Sequence, residues 1–326
     1  MYRNLIKIAT ILTFGIVVLG AFVRLSDAGL GCPDWPGCYG HVTVPNEAHE
    51  LAAAQAKFPG QTVEIRKGWI EMIHRYFASA LGLLIIAIAV LSWRRRKEAV
   101  QGLTLPFLLV ALVVFQGLLG MWTVTLRLYP AVVTAHLIGG MTTLALLTWL
   151  LMRNLRSTSA YPVAHHDGFK RPALLALAVL ALQIVLGGWV STNYAALACT
   201  DFPLCHGTIA PVADYANGFY PLRDLGRTAT GALLHQDALT AIHWAHRIGA
   251  LVTFLVVAYL GLRLLGNDQF KRLGVAVLCA LALQLALGIA NVLLSLPLPL
   301  AVAHNAGAAL LLVIFVIVNY RLHNNN

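Results

Sequence analysis

Four histidines set in apolar surroundings are the residues best suited to chemistry: His74, His136, His246 and His304. His74 and His246 each open a His-Arg pair, with Arg75 and Arg247, while His136 and His304 lie in the matching stretches "VTAHLIGG" and "AVAHNAGA". An ionisable side chain inside a membrane span is costly and is kept mainly for function. Imidazoles on two helices of one bundle form a clamp for a haem iron, provided the macrocycle finds an apolar slot and basic groups near its propionates. Arg75 and Arg247 directly follow two of the histidines and are the expected propionate partners, with Arg24 and Arg127 in support. Zinc would call for about four N or S ligands in a closed site, which two histidines do not supply. The competing reading is a pair of polar core residues with no ligand.

Glu71 stands three residues before His74 in "EMIHR", and His243 holds that place in "HWAHR". Side chains three apart share a helical face. A carboxylate beside one histidine pair and not the other points to chemistry at the first, with the second serving as an electron relay or structural site. A salt bridge from Glu71 to Arg75 is the plainer alternative. His243 lies one turn from His246, so either could be the ligand; the shared His-Arg pair favours His246. The cysteines form a third group. "GLGCPDWPGCYG" and "ALACTDFPLCHG" place Cys32 and Cys38, then Cys199 and Cys205, six residues apart around prolines. This is not the C-x2-C spacing of zinc ribbons or redox motifs. A tight reversal brings two Cα atoms to about 4.4–6.8 Å, so disulfides Cys32–Cys38 and Cys199–Cys205 are expected, each pinning a loop over its site. A transient redox role for the first pair is the other reading.

These groups need elements to hold them. The chain has 326 residues, 59% of them hydrophobic and 11% charged, with mean hydropathy +0.75. Soluble domains are about 45–50% apolar and about 25% charged, so this is a membrane composition. Eight apolar runs of roughly bilayer length occur at 5–23, 69–92, 103–125, 131–151, 173–191, 239–262, 273–294 and 299–318. Lipid leaves backbone groups no outside partner, which makes the runs helices. The fold class is therefore all-α and integral to the lipid bilayer. The first run has a basic start but no small-residue cleavage site after it, so it reads as a retained helix and not a signal peptide. Net charge is +10, but its placement is topological. Alternate segments carry Arg3, Lys7, Arg94 to Lys97, Arg153, Arg156, Lys170, Arg171, Arg263, Lys271, Arg272 and Arg321 against only Glu98, Asp167 and Asp268. The positive-inside rule puts those segments and both termini in the cytoplasm, and the cysteine loops outside, where disulfides persist. No nucleic-acid partner is implied. All four histidines fall roughly five to eight residues into their spans, about 8–12 Å from the outer ends.

The chain is also written twice. "LGAFVRLSDAGLGCPDWPGCYG" from Leu19 aligns without a gap on "LGGWVSTNYAALACTDFPLCHG" from Leu186, and "QGLLG" from Gln116 on "QLALG" from Gln284. The expected organisation is a four-helix half over 1–156, a cytoplasmic linker over 157–170 and a second four-helix half over 171–326. A shift spanning an even number of helices implies a parallel repeat, with a pseudo-twofold axis along the membrane normal.

Taken together, "GAFVRLSDAGLGCPDWPGCYG", "EMIHRYFASALG", "TAHLIGG", "IHWAHRIGALV" and "AVAHNAG" resemble the haem A synthase family, in its cysteine-containing branch, over nearly the whole chain. The resemblance implies oxidation of the C8 methyl of haem O to a formyl group, giving haem A for terminal oxidases. It implies that His74 and His136 hold the substrate haem, that His246 and His304 hold a haem b cofactor, and that Glu71 is catalytic. A complex with the prenyltransferase that makes haem O, and a homo-oligomer, are further expectations; the electron acceptor is left unnamed. Two other functions compete: a dihaem b-type, quinol-linked electron carrier, and a non-catalytic haem transporter or chaperone. The tryptophan-rich outer loop common in the latter is missing, since Trp35 stands alone in the first outer loop. A prenyltransferase would need Asp-rich Mg²⁺ motifs, and Asp167 and Asp268 are isolated. Cys279, in the seventh span, is expected to be a buried, inert apolar residue.

Overall fold

The computed structural model describes residues 1–97, 102–155 and 167–323. Eight helices among them are long and apolar enough to cross a membrane. They are α1 (Tyr2–Leu25), α3 (Ile65–Arg94), α4 (Thr104–Thr125), α5 (Pro130–Leu155), α6 (Asp167–Thr192), α8 (Gln236–Leu265), α9 (Lys271–Leu293) and α10 (Leu298–His323). Two short helices, α2 (Ala48–Lys57) and α7 (Tyr215–Gly218), lie in the long loops after α1 and α6. The described residues form no strand, so the chain is an all-helical, multi-pass membrane protein. Residues 157–166 of the expected linker, with Glu98 and Arg156, lie outside the described residues.

Local chemistry explains the helix ends. Pro130 opens α5, where a missing N–H costs no hydrogen bond. Pro172 lies inside α6, and the Gly168 carbonyl that its missing N–H leaves accepts from Arg263 Nη1 at 3.2 Å. Arg24, Arg94, Arg153, Arg263 and Arg321 occupy last turns, where a cation meets the negative end of the helix dipole. In α2, Glu47 and Glu50 close a capping box, with Glu50 Oε2 accepting from the Glu47 N–H. At 30 residues each, α3 and α8 run to about 45 Å and exceed an apolar layer of about 30 Å.

In the bundle, α1 packs on α3 and α5, and α4 on α3 and α5; likewise α6 packs on α8 and α10, and α9 on α8 and α10. The two sets meet through α1 on α10, α5 on α10 and α5 on α6. The largest apolar core runs through that meeting, from Val17, Met141 and Leu144 to Ala176, Val257 and Phe315. A second core, with Ile6, Ile85, Leu109 and Leu147, fills the first set. Cys279 departs from expectation: its thiol is exposed on the outer surface of α9, because that position falls on the helix face away from α8 and α10.

The backbone repeats with the sequence. Non-glycine residues with positive φ come as Asp27 and Tyr194, Tyr39 and His206, Arg127 and Ser295, Leu128 and Leu296. Each pair is separated by the shift that aligns the two stretches. The same holds for the cis peptides Trp35–Pro36 and Phe202–Pro203.

Candidate functional site

Each of the four histidines rests on a glycine of a neighbouring helix. A Cβ at Gly20 of α1 would stand 3.0 Å from His74 Cε1, and one at Gly187 of α6 would stand 3.1 Å from His246 Cε1. The matching distances are 3.5 Å from Gly120 of α4 to His136 Cε1 and 3.0 Å from Gly288 of α9 to His304 Cε1. At Gly20, Gly187 and Gly288 a Cβ would crowd the ring, while at Gly120 it would make ordinary contact, so the glycines let the backbone lie close against each imidazole. His74 lies within electrostatic reach of His136, and His246 of His304. The structure thus brings together the two pairs named from sequence.

Three of these rings carry a buried nitrogen that meets no hydrogen-bonding partner: Nδ1 of His74, of His136 and of His304. A buried polar atom left unpaired costs about 1–3 kcal/mol. Three such atoms, on facing helices, show that the protein alone does not satisfy these rings. Among the described residues no group of three or more His, Cys, Asp or Glu is placed to hold a bare metal ion. Imidazole pairs in apolar walls fit a metal that brings its other ligands with it, as haem iron does.

Over each pair sits a cysteine loop. Cys32 and Cys38 are joined at an S–S distance of 2.00 Å, Cys199 and Cys205 at 2.02 Å, as expected from their spacing. Each loop is closed by an aspartate: Asp34 accepts from the Tyr39 and Gly40 N–H groups, Asp201 from those of His206 and Gly207. Two antiparallel bridges, Cys38 with His41 and Cys205 with Thr208, finish the reversals.

The arginines after the histidines bind these loops. Arg75 Nη1 donates to the carbonyls of Asp34 (3.0 Å), Pro36 (3.2 Å) and Gly37 (2.6 Å), and its Nη2 donates to Glu71 Oε1 at 2.5 Å. Arg247 Nη1 donates to Asp201 and Leu204 carbonyls at 2.7 Å each, and Nη2 to that of Cys199 at 2.7 Å. These guanidinium groups, expected to face propionates, reach loop carbonyls, for which a fork of five N–H donors is equally suited.

Glu71 is 4% exposed. Its Oε2 accepts the Cys32 N–H at 2.9 Å, so one carboxylate ties the loop, Arg75 and the His74 helix together. The salt bridge expected as the plainer reading is therefore present, with a loop contact added to it. His243, also 4% exposed, fills the same place in the second loop, where Cys199 N–H donates to its Nδ1 at 3.1 Å. A neutral imidazole accepts at one nitrogen only, so Nε2 then carries the proton and merely borders Arg247 Nε at 3.3 Å. His243 is thus committed to the loop, while His246 faces His304.

Arg24 links the two sets of helices. Its Nη2 donates to the Ser191 carbonyl at 2.9 Å, its guanidinium lies 3.9 Å from the Tyr194 ring centroid, and Tyr194 Oη donates to Asp27 at 3.0 Å.

Comparisons with known proteins agree in direction. The family described as "Cytochrome oxidase assembly protein" (COX15-CtaA) matches residues 3–316. A protein of Shewanella oneidensis named "Heme A synthase" is 45% identical over 318 residues, covering 98% of this chain and 96% of its own length. Proteins of the same name from Halalkalibacterium halodurans and Caulobacter sp. (strain K31) are 28% identical over 255 residues and 27% identical over 339 residues. The first comparison covers 76% of this chain and 78% of the relative; the second covers 97% and 94%.

Proposed function

Because this chain belongs to the COX15-CtaA family of cytochrome oxidase assembly proteins, we propose that it is a haem A synthase, an integral membrane enzyme that oxidises the C8 methyl of haem O to a formyl group. In this reading, residues 1–156 bind the substrate haem through His74 and His136. Residues 171–326 hold a resident haem b through His246 and His304. Haem b, when bound, supplies a one-electron relay. The enzyme sits in the cell membrane with both termini cytoplasmic and the cysteine loops outside, and it receives haem O from a complex with the prenyltransferase that makes it.

One observation carries the assignment of roles: a buried carboxylate, Glu71, occupies the place on the His74 helix where the His246 helix has a neutral imidazole, His243. Converting methyl to formyl with water as oxygen source releases four protons and four electrons, so a base beside the substrate edge is needed. Glu71 is that base. Arg75 and the Cys32 N–H fix its two oxygens, leaving their remaining lone pairs for a proton. The disulfide-pinned loop above it keeps bulk water out. Arg75 and Arg247 hold the loops shut and supply positive charge near the propionates.

The test is to purify the full chain and identify its haems by mass. Haem O or haem A beside haem b is expected; haem b alone at both sites would mean an electron carrier. Preparations formed in ¹⁸O-water and under ¹⁸O-dioxygen separate the routes. Label entering the formyl group from dioxygen would sink the water route and with it the role of Glu71 as base for water.

A further inference from the structure

The four histidines differ in what stands behind them. His246 is backed by Gln183 of α6, whose amide Nε2 lies 3.0 Å from His246 Nδ1 and 3.0 Å from the His246 carbonyl. His304 is backed by Gln284 of α9, with Nε2 at 3.4 Å from His304 Nε2. In the first pair, Gln116 of α4 is packed on Gly139, three residues past His136, as Gln284 is packed on Gly307, three past His304. His74 has no such side chain, and its Nδ1 is buried without a partner. The repeat shows why His74 is bare. Gln183 stands four residues before the cradle glycine Gly187; four residues before Gly20, α1 has Ile16, which is buried and apolar. The partner helix matches: Gln183 is packed against Gly249, three residues past His246, and the residue three past His74 is Phe77. A glutamine with room for it in one half is replaced by an isoleucine and a phenylalanine in the other.

We propose that Gln183 is the positioning residue that makes the second haem site a retaining one, and that its replacement by Ile16 makes the first site an exchanging one. A histidine that gives one nitrogen to a metal must carry its proton on the other, and a hydrogen-bond acceptor there fixes the ring and raises its basicity. The Gln183 amide does this for His246 once its oxygen, which has no partner of its own, turns towards Nδ1–H, a turn that releases the bond from Nε2 to the His246 carbonyl. His74 has no acceptor, so packing against Gly20, with no hydrogen bond, is what orients its ring. An enzyme whose substrate and product are both held by iron ligands requires such a site, and its resident cofactor requires the opposite. The inference rests on the assignment of substrate and resident haem given above.

The experiment follows haem release from the purified full chain into excess apomyoglobin, read by absorbance, together with redox titration and low-spin electron paramagnetic resonance. Gln183→Leu is expected to release haem b about tenfold to a hundredfold faster. In the haem that stays, loss of the acceptor raises the midpoint potential; a tenfold change in ferric preference is about 59 mV. Gln183→Glu, which keeps an acceptor, restores retention. The double variant Ile16→Gln, Phe77→Gly is expected to slow release from the first site about tenfold, and it serves if Gln183→Leu does not accumulate. Unchanged haem b release and unchanged potential in Gln183→Leu, or unchanged first-site release in the double variant, would overturn the proposal. If the wild-type chain instead carries two non-exchanging b haems, the functional assignment fails, while the effect of Gln183 on His246 is still measured.

Discussion

At the scale of single residues, the two halves differ less in their ligand candidates than in what stands one turn away from them. Glu71 and His243 make the same contact with a cysteine-loop N–H, yet that contact takes the one lone pair of the neutral His243 ring, while the carboxylate keeps lone pairs free to accept a proton. Replacing Glu71 with Gln keeps an acceptor for the Cys32 N–H and removes the base. Haem A formed per protein is expected to fall by about 10²–10⁴-fold with both haems retained, measured by chromatography and mass. A variant at full rate would show that the carboxylate is only a fastener. The histidines and Glu71 were legible in the sequence because they repeat or conspicuously fail to. Gln183 was not, since Ile16 in the other copy removes it from the pattern, and the glycine cradles were not, since a contact across helices leaves no mark in either helix alone.

At the scale of elements, the cysteine loops act as tied caps on α3 and α8. Asp201 closes the second one, and the Gly207 and His206 N–H groups it accepts hold its carboxyl below the usual aspartate range. A carboxyl depressed in the folded state adds stability that is complete above its unfolded value, about 3.9, and is lost as pH falls through the lower folded value. Protection of the His206 and Gly207 amides from hydrogen exchange, corrected for intrinsic rates, should therefore hold at neutral pH and drop in strong acid. In Asp201→Asn it should be weaker and without that acid step. A wild-type profile flat into strong acid would mean that the bridge between Cys205 and Thr208 holds the loop unaided. The loops' disulfides were readable from spacing and compartment. Their grip on Arg75 and Arg247 was not, because an arginine beside a candidate ligand reads first as an anion's partner.

At the scale of the whole molecule, the apolar runs gave the number of spans but not their lengths: the runs at 69–92 and 239–262 are the helices Ile65–Arg94 and Gln236–Leu265. A hydropathy window detects the hydrocarbon layer, whereas the helices continue as polar turns into the interface. Reporter fusions test the orientation proposed from charge. An alkaline phosphatase joined within 157–170 should be inactive, and one inserted near residue 45 active; the reverse would invert the protein in the membrane. The core shared between α5, α6 and α10 packs the two sets of helices against each other. Finally, the outward-facing thiol of Cys279 is left unpaired beside two disulfides that use the other four cysteines. The native chain therefore carries a single attachment point for a nitroxide, aimed into lipid and sited on a second-half helix. Dipolar spectroscopy from that label to ferric iron would yield one distance for each haem, and filling the sites in turn would tell which of them loads first, with no residue changed.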